Sequence, residues 1–196
     1  MDKTGHKRGG IAAAVAVCLL LCAGGLFADA LLPVLRYERS GLAAGEWWRL
    51  VSAHFVHIDE AHAALNAAAL LLIAWLGMGQ VTLRQWLWLT LASMAAVDIG
   101  LYWLAPETTW YAGASGVLHG VFAGTSLILA RRAREPIGTL MLLLLAAKLA
   151  FEQVSGGPSP WMGSAGFRVV IEAHLYGALG GLAAASAASA IGASRS

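Results

Sequence analysis

An all-α polytopic membrane protein, with six helices in one compact bundle and both termini on the cytoplasmic side, is the fold this chain predicts. Three observations carry that expectation. Hydrophobic residues make up 59% of the 196 and charged residues 12%, with a mean hydropathy of +0.68, a balance no ordinary soluble domain of this length tolerates. Six apolar segments follow one another with short connections, most of them near the ~20 residues a bilayer requires. Lysine and arginine are distributed unequally between the two sides. The net charge of +2 leaves neither a nucleic-acid footprint nor an acidic tail. The expected surroundings are therefore the lipid bilayer, with no nucleic-acid partner.

The first segment, 11–32, follows Lys3, Lys7 and Arg8. Its basic start and the Ala28-Asp29-Ala30 run also fit a cleavable signal peptide, but its length favours a retained helix. Cys18 and Cys22 lie within it and read as small hydrophobes rather than a redox pair. The stretch 33–59 is the one connection long enough to hold structure of its own and is expected outside. The remaining spans fall at 60–78, 84–104, 115–130, 136–154 and 169–191, within a single domain covering 1–196. This threading leaves Lys3, Lys7, Arg8, Arg84, Arg131, Arg132, Arg134 and Arg195 inside, and only Arg36, Arg39, Arg49 and Arg168 outside, which is the positive-inside pattern. Trp47, Trp48, Trp103, Trp110 and Trp161 then mark the outer interface, and Trp75, Trp86 and Trp88 the inner one.

Polar groups inside a span are costly and mark function by default. Here they are His62, Asn66, Asp98, Ser115, His119, Lys148, Glu152, Glu172 and His174. The fourth span is short. From Ser115 to Ala130 it reaches ~24 Å at helical rise, against ~30 Å of hydrocarbon. With Arg131, Arg132 and Arg134 holding its far end in the cytoplasm, Ser115 must lie below the outer surface, and the preceding loop 105–114 must dip inward. Irregular backbone at that depth is tolerated only beside a protein-enclosed or wet cavity, so the short helix predicts a pocket ending at a serine. His174, about five residues into the sixth span, sits ~8 Å below the outer end, level with Ser115. His62 and Asn66, one turn apart on the second span, enter the same layer.

Small-residue stripes indicate which helices touch. Gly116, Gly120 and Gly124 recur at spacing four on the fourth span, and Gly177 and Gly181 do so on the sixth. Stripes of this kind allow membrane helices to approach at backbone contact, which would bring the His174 imidazole within hydrogen-bond reach of Ser115.

These residues carry a family resemblance. Gly113-Ala114-Ser115-Gly116 resembles the GxSG motif of rhomboid proteases, Ala173-His174 with Gly177 and Gly181 resembles their AHxxGxxxG helix, and His62 with Asn66 resembles their HxxxN. Glu46-Trp47-Trp48-Arg49 resembles the rhomboid WR element, and the motifs run in the family's order from about residue 45 to 182. The longer wording Tyr111-Ala112-Gly113-Ala114-Ser115-Gly116-Val117-Leu118-His119-Gly120, with Glu172-Ala173-His174-Leu175-Tyr176-Gly177, is similar to the rhombosortase branch. The resemblance implies a bacterial inner-membrane enzyme opening to the periplasm. Its clients would be single-span proteins with a GlyGly-CTERM tail, meaning a Gly-Gly motif, one hydrophobic span and a basic end.

The resemblance further implies Ser115 as nucleophile and His174 as base. The Ser115 amide, His62 and Asn66 would be oxyanion donors, with Gly113 and Gly116 in support. His62 and Asn66 also read as interhelical hydrogen-bond glue. His119 stands where many rhomboids have a tyrosine that stacks on the histidine. One turn from Ser115, it is a second histidine within reach of the serine, but the motif assigns the base to His174 and leaves His119 to support. Glu172, ~200° round the helix from His174, cannot complete a triad, so a Ser-His dyad is expected. Lys148 and Glu152, four apart on the fifth span, read equally as an internal ion pair or as a gate or substrate contact, and Asp98 as one end of an interhelical bond.

Competing classes fail by inspection. No HExxH occurs, His54, His57 and His62 could bind zinc but lack such a motif, and no metal or cofactor is expected. An aspartyl protease needs a second deep acid facing Asp98. A transporter would show paired broken helices in an internal repeat. The remaining alternative, a catalytically silent rhomboid-like protein that binds transmembrane clients, would ordinarily have lost the serine or the histidine, and both are present.

Overall fold

The computed structural model describes residues 3–132, 136–157 and 169–193. Trp161, Arg168, Arg134 and Arg195, used above for orientation, lie outside the described residues. In chain order the elements are α1 (Lys3–Leu26), α2 (Ala28–Leu35), β1 (Tyr37–Glu38), α3 (Arg39–Ala43), α4 (Arg49–Ser52), α5 (Glu60–Leu76), α6 (Leu83–Trp103), β2 (Trp110–Tyr111), α7 (Ser115–Arg132), α8 (Ile137–Ser155) and α9 (Ile171–Ala193).

Three features add detail to the expected helical bundle. The segment 11–32 is not one straight helix: the chain bends by 99° between Ala14–Leu26 and Ala28–Leu35. Phe27 leaves helical dihedrals at the corner (φ −107°, ψ 28°). The bend follows Gly24 and Gly25, where α1 meets other backbone: a Cβ on Gly24 would strike the Phe55 carbonyl, and one on Gly25 would lie 2.5 Å from the Ala63 Cβ. The stretch 33–59 holds structure of its own, with α2 running on through Pro33 to Leu35 and α3 and α4 following. The chain is also not purely helical, since Tyr37–Glu38 and Trp110–Tyr111 pair antiparallel, with Tyr37 opposite Tyr111 and Glu38 opposite Trp110.

The helices are inside-out by soluble standards. Leu87, Trp88 and Leu91 on α6, and Leu140, Leu143 and Leu144 on α8, are at least half exposed, an outward apolar surface that lipid must cover. α6 and α8 are each long and apolar enough to cross a bilayer, and the bent α1–α2 pair meets the same test taken together. α5, with 17 residues, reaches ~26 Å. Helix ends are capped as the backbone requires. Asp59 accepts from the His62 amide at 2.7 Å, Thr82 and Gln85 form a capping box, and Gly156 closes α8 in a left-handed conformation (φ +66°).

The centre of the bundle is the α7–α9 crossing. A Cβ on Gly177 would collide with the Gly116 carbonyl, one on Gly181 with the Gly120 carbonyl, and one on Gly124 would lie 2.9 Å from the Gly181 oxygen. The two stripes therefore face each other at backbone contact, which only glycine permits here.

Candidate active site

Ser115 is the first residue of α7, and the loop before it is clamped from several directions. Gly113 has φ +121°, a conformation L-residues avoid, and a Cβ there would lie 2.7 Å from Cε1 of His62. The Gly113 amide donates to the Ala53 carbonyl at 2.9 Å, and the Tyr111 hydroxyl donates to the Gly113 carbonyl at 2.6 Å. The Ala114 amide donates to Nε2 of His57 at 3.4 Å. Burial of the His57 ring, with His62 beside it, pushes its pKa down to about 4, so it stands neutral and able to accept. The β1–β2 pair and the Arg39 amide, which donates to the Thr109 carbonyl at 2.9 Å, complete the tether.

The segment between α1 and α5 is itself anchored. Arg49, almost fully buried, pairs with Glu46 and donates to the carbonyls of Pro33 and Arg36. Trp48 donates through Nε1 to the Val34 carbonyl at 3.2 Å. His54 meets Asp98 at 3.3 Å, so the deep acid of α6 bonds a loop histidine rather than another span.

The structure brings Ser115 and His174 together. Nε2 of His174 lies 3.1 Å from Ser115 Oγ, and the imidazole is 1% exposed. Gly116 makes the approach possible, since a Cβ there would lie 2.9 Å from the Ala173 carbonyl. His119 does not compete for the serine hydroxyl: its Nδ1–H donates to the Ser115 carbonyl at 2.7 Å. Its ring lies parallel to that of His174, with centroids 4.1 Å apart and planes at 15°. It fixes the plane of the imidazole.

His62 faces the same loop and packs edge-on against His57, centroids 5.0 Å apart. Asn66 is buried one turn below and donates through Nδ2 to the His62 carbonyl at 3.0 Å, which leaves its second N–H. Two cavities meet at Ser115, His62, Leu65 and His174. One of about 270 Å³ opens past Asp59, Glu107, Trp110 and Val170. The other, about 360 Å³, runs along Leu72, Leu118, Phe122 and Leu144 between α5 and α8 and is almost wholly apolar.

Sequence reasoning examined only α9 for an acid beside His174, and the acid comes from α8. Glu152 Oε2 lies 3.0 Å from His174 Nδ1, and Oε1 lies 2.6 Å from Lys148 Nζ. The ion pair is present, but Glu152 is fully buried and has no face to offer a passing substrate. The signal available in the sequence was position, because Glu152 lies near the C-terminal end of α8 and His174 near the N-terminal end of α9. Ligand atoms of His119, Glu152 and His174 lie within 4.8 Å of one another. The nitrogens among them already have protein partners: His119 Nδ1 the Ser115 carbonyl, His174 Nδ1 the Glu152 carboxylate and His174 Nε2 the Ser115 hydroxyl.

Comparison with known proteins shows the family. The rhomboid domain model matches residues 44–190. The chain is 28% identical over 141 residues to the putative rhomboid protease YdcA of Bacillus subtilis (strain 168), covering 72% of this chain and 67% of that protein. It is 30% identical over 154 residues to the rhomboid protease GluP of the same organism, covering 76% of this chain and 28% of that protein. It thus spans about two thirds of the first relative and little more than a quarter of the second. No solved structure gives a match.

Proposed function

This chain belongs to the rhomboid family, and from that premise we propose that it is an intramembrane serine endopeptidase that cuts membrane-anchored proteins near the outer membrane-water boundary. One observation carries the reading: a serine hydroxyl 3.1 Å from a buried imidazole, at the point where an outward-opening cavity meets a lateral apolar one. Ser115 attacks the scissile carbonyl while its proton passes to Nε2 of His174. The oxyanion is received by the Ser115 amide at the start of α7, with His62 and Asn66 alongside. His174 then returns the proton to the departing amine, and water resolves the acyl-enzyme.

In the bilayer, this reading has six spans, both termini inside and the active site facing the periplasm across a bacterial inner membrane. The charge asymmetry and the outward apolar faces support it. The rhombosortase-like wording around Ser115 and His174 supports a narrower client class, single-span proteins with a Gly-Gly pair just outside the span. A recessed serine accepts only extended backbone free of its own helical hydrogen bonds. Each glycine disfavours helix by about 1 kcal/mol relative to alanine, so such a pair unwinds where the serine waits, while the client span lies against α5 and α8.

Cleavage is therefore expected at or next to the glycine pair, with the released domain recovered from the periplasmic side. Mass spectrometry of the released C-terminus checks the first point and cell fractionation the second. A cut deep within the span, undiminished cutting after both glycines become leucine, or release into the cytoplasm each counts against this client reading.

A further inference from the structure

Glu152 and Lys148 occupy positions that a serine–histidine dyad does not use. Glu152 stands on α8 with no exposed surface. A buried carboxylate is tolerated only when its oxygens are engaged, and both are: Oε1 with Lys148 Nζ at 2.6 Å and Oε2 with His174 Nδ1 at 3.0 Å. An i,i+4 Lys-Glu pair held only for helix stability would lie on the helix surface, where it is worth a few tenths of a kcal/mol. Here the glutamate turns inward across the bundle to a different helix, and only the lysine, 29% exposed at its side chain, borders the lateral cavity.

The chemistry follows from what each atom can do. An ionised carboxylate only accepts, so the Nδ1 nitrogen of His174 must carry hydrogen. That fixes the tautomer and leaves the Nε2 lone pair aimed at the Ser115 hydroxyl. When Nε2 takes the serine proton, the new positive charge is already facing a carboxylate, and Nδ1–H stays in place. Lys148 holds the second carboxylate oxygen, so the acid stays ionised and cannot rotate off the histidine. With the His119 ring stacked on the imidazole face, His174 is fixed in plane by one neighbour and in rotation by the other.

We propose that Glu152 is a positioning residue that orients His174 and that Lys148 anchors it, so that the site works as a Lys148–Glu152–His174–Ser115 relay spanning α7, α8 and α9. This rests on the reading of Ser115 and His174 as nucleophile and base.

The test is steady-state cleavage of a fluorogenic membrane-anchored client by the full-length protein in detergent and in vesicles. Glu152→Gln removes the charge and permits the wrong tautomer, and should lower kcat by roughly 10²–10⁴ with KM unchanged. Lys148→Met should lower kcat by about tenfold, also at constant KM. In the Glu152→Gln background it should cost nothing further, because members of one unit fail together. A Glu152→Gln kcat within about threefold of the parent, with Ser115→Ala inert, overturns the relay and leaves the serine–histidine reading standing; activity in Ser115→Ala removes that reading instead. If Glu152→Gln does not fold, Lys148→Met decides alone, and an unchanged kcat, or a loss carried by KM, overturns the proposal.

Discussion

Ser115→Ala and His174→Ala each reduce cleavage of a membrane-anchored client to background, while His119→Ala keeps measurable activity. The three residues touch one another, and their hydrogen bonds separate their roles. Ser115 Oγ and His174 Nε2 are 3.1 Å apart with the proton to be moved between them. Deleting either member of such a unit costs about as much as deleting both, on the order of 10⁶ in turnover where it has been measured in a serine protease. His119 reaches only the Ser115 carbonyl and the face of the His174 ring. Its loss frees the imidazole plane without removing a reacting group, a cost nearer to the ~10²-fold attached to a misplacement of 1 Å. Cleavage by each variant in reconstituted vesicles, normalised to inserted protein, measures the difference. If His119→Ala is inert and His174→Ala cuts normally, the base has been assigned to the wrong histidine.

The second large effect is expected far from any reacting atom. Gly177→Val places a branched side chain where even a single Cβ would collide with the Gly116 carbonyl. Backbone cannot yield as a flexible side chain does, so α9 must move away from α7. His174, one turn before Gly177, and Ser115, next to Gly116, lie on the two sides of that contact. A separation of about 1 Å costs ~10² in rate through lost alignment, and overpacking adds roughly 1–3 kcal/mol of destabilisation. Gly157→Ala is the matched control, because nothing among the described residues lies within 4 Å of a Cβ there. Cleavage rate and melting temperature should both fall in Gly177→Val and stay at parental values in Gly157→Ala. Parental activity in Gly177→Val would mean that the α7–α9 contact does not set the serine–histidine distance.

Most of the site can be read from the chain because two of its determinants are local. The glycine spacing on α7 and α9 names the contacting faces, and the shortness of the 115–130 segment sets the expected depth of Ser115. Helical rise then places His174 at the same level. Contacts between elements are less legible. The i,i+4 relation of Lys148 and Glu152 fixes a shared face of α8 but not which neighbour that face meets, so the carboxylate beside His174 stayed hidden. The bend at Phe27 follows Gly24-Gly25 and precedes Asp29 and Pro33, breaker signals that hydropathy alone passes over. The clamp on the Gly113 loop comes from the Ala53 carbonyl and the His57 ring. A carbonyl has no sequence signature, and a loop histidine reads as an ordinary polar residue. Asp98 was legible as a bonded group, but its partner His54 lies in the segment 33–59, whose fold no periodicity announces.

The central claim is that Ser115 is a nucleophile activated by His174, and covalent labelling with a fluorophosphonate followed by peptide mapping addresses it without any knowledge of the client. The account predicts one modified residue, Ser115, with labelling absent in Ser115→Ala and strongly slowed in His174→Ala. Undiminished labelling of Ser115→Ala, or equal labelling of Ser115 with and without the His174 imidazole, would contradict it.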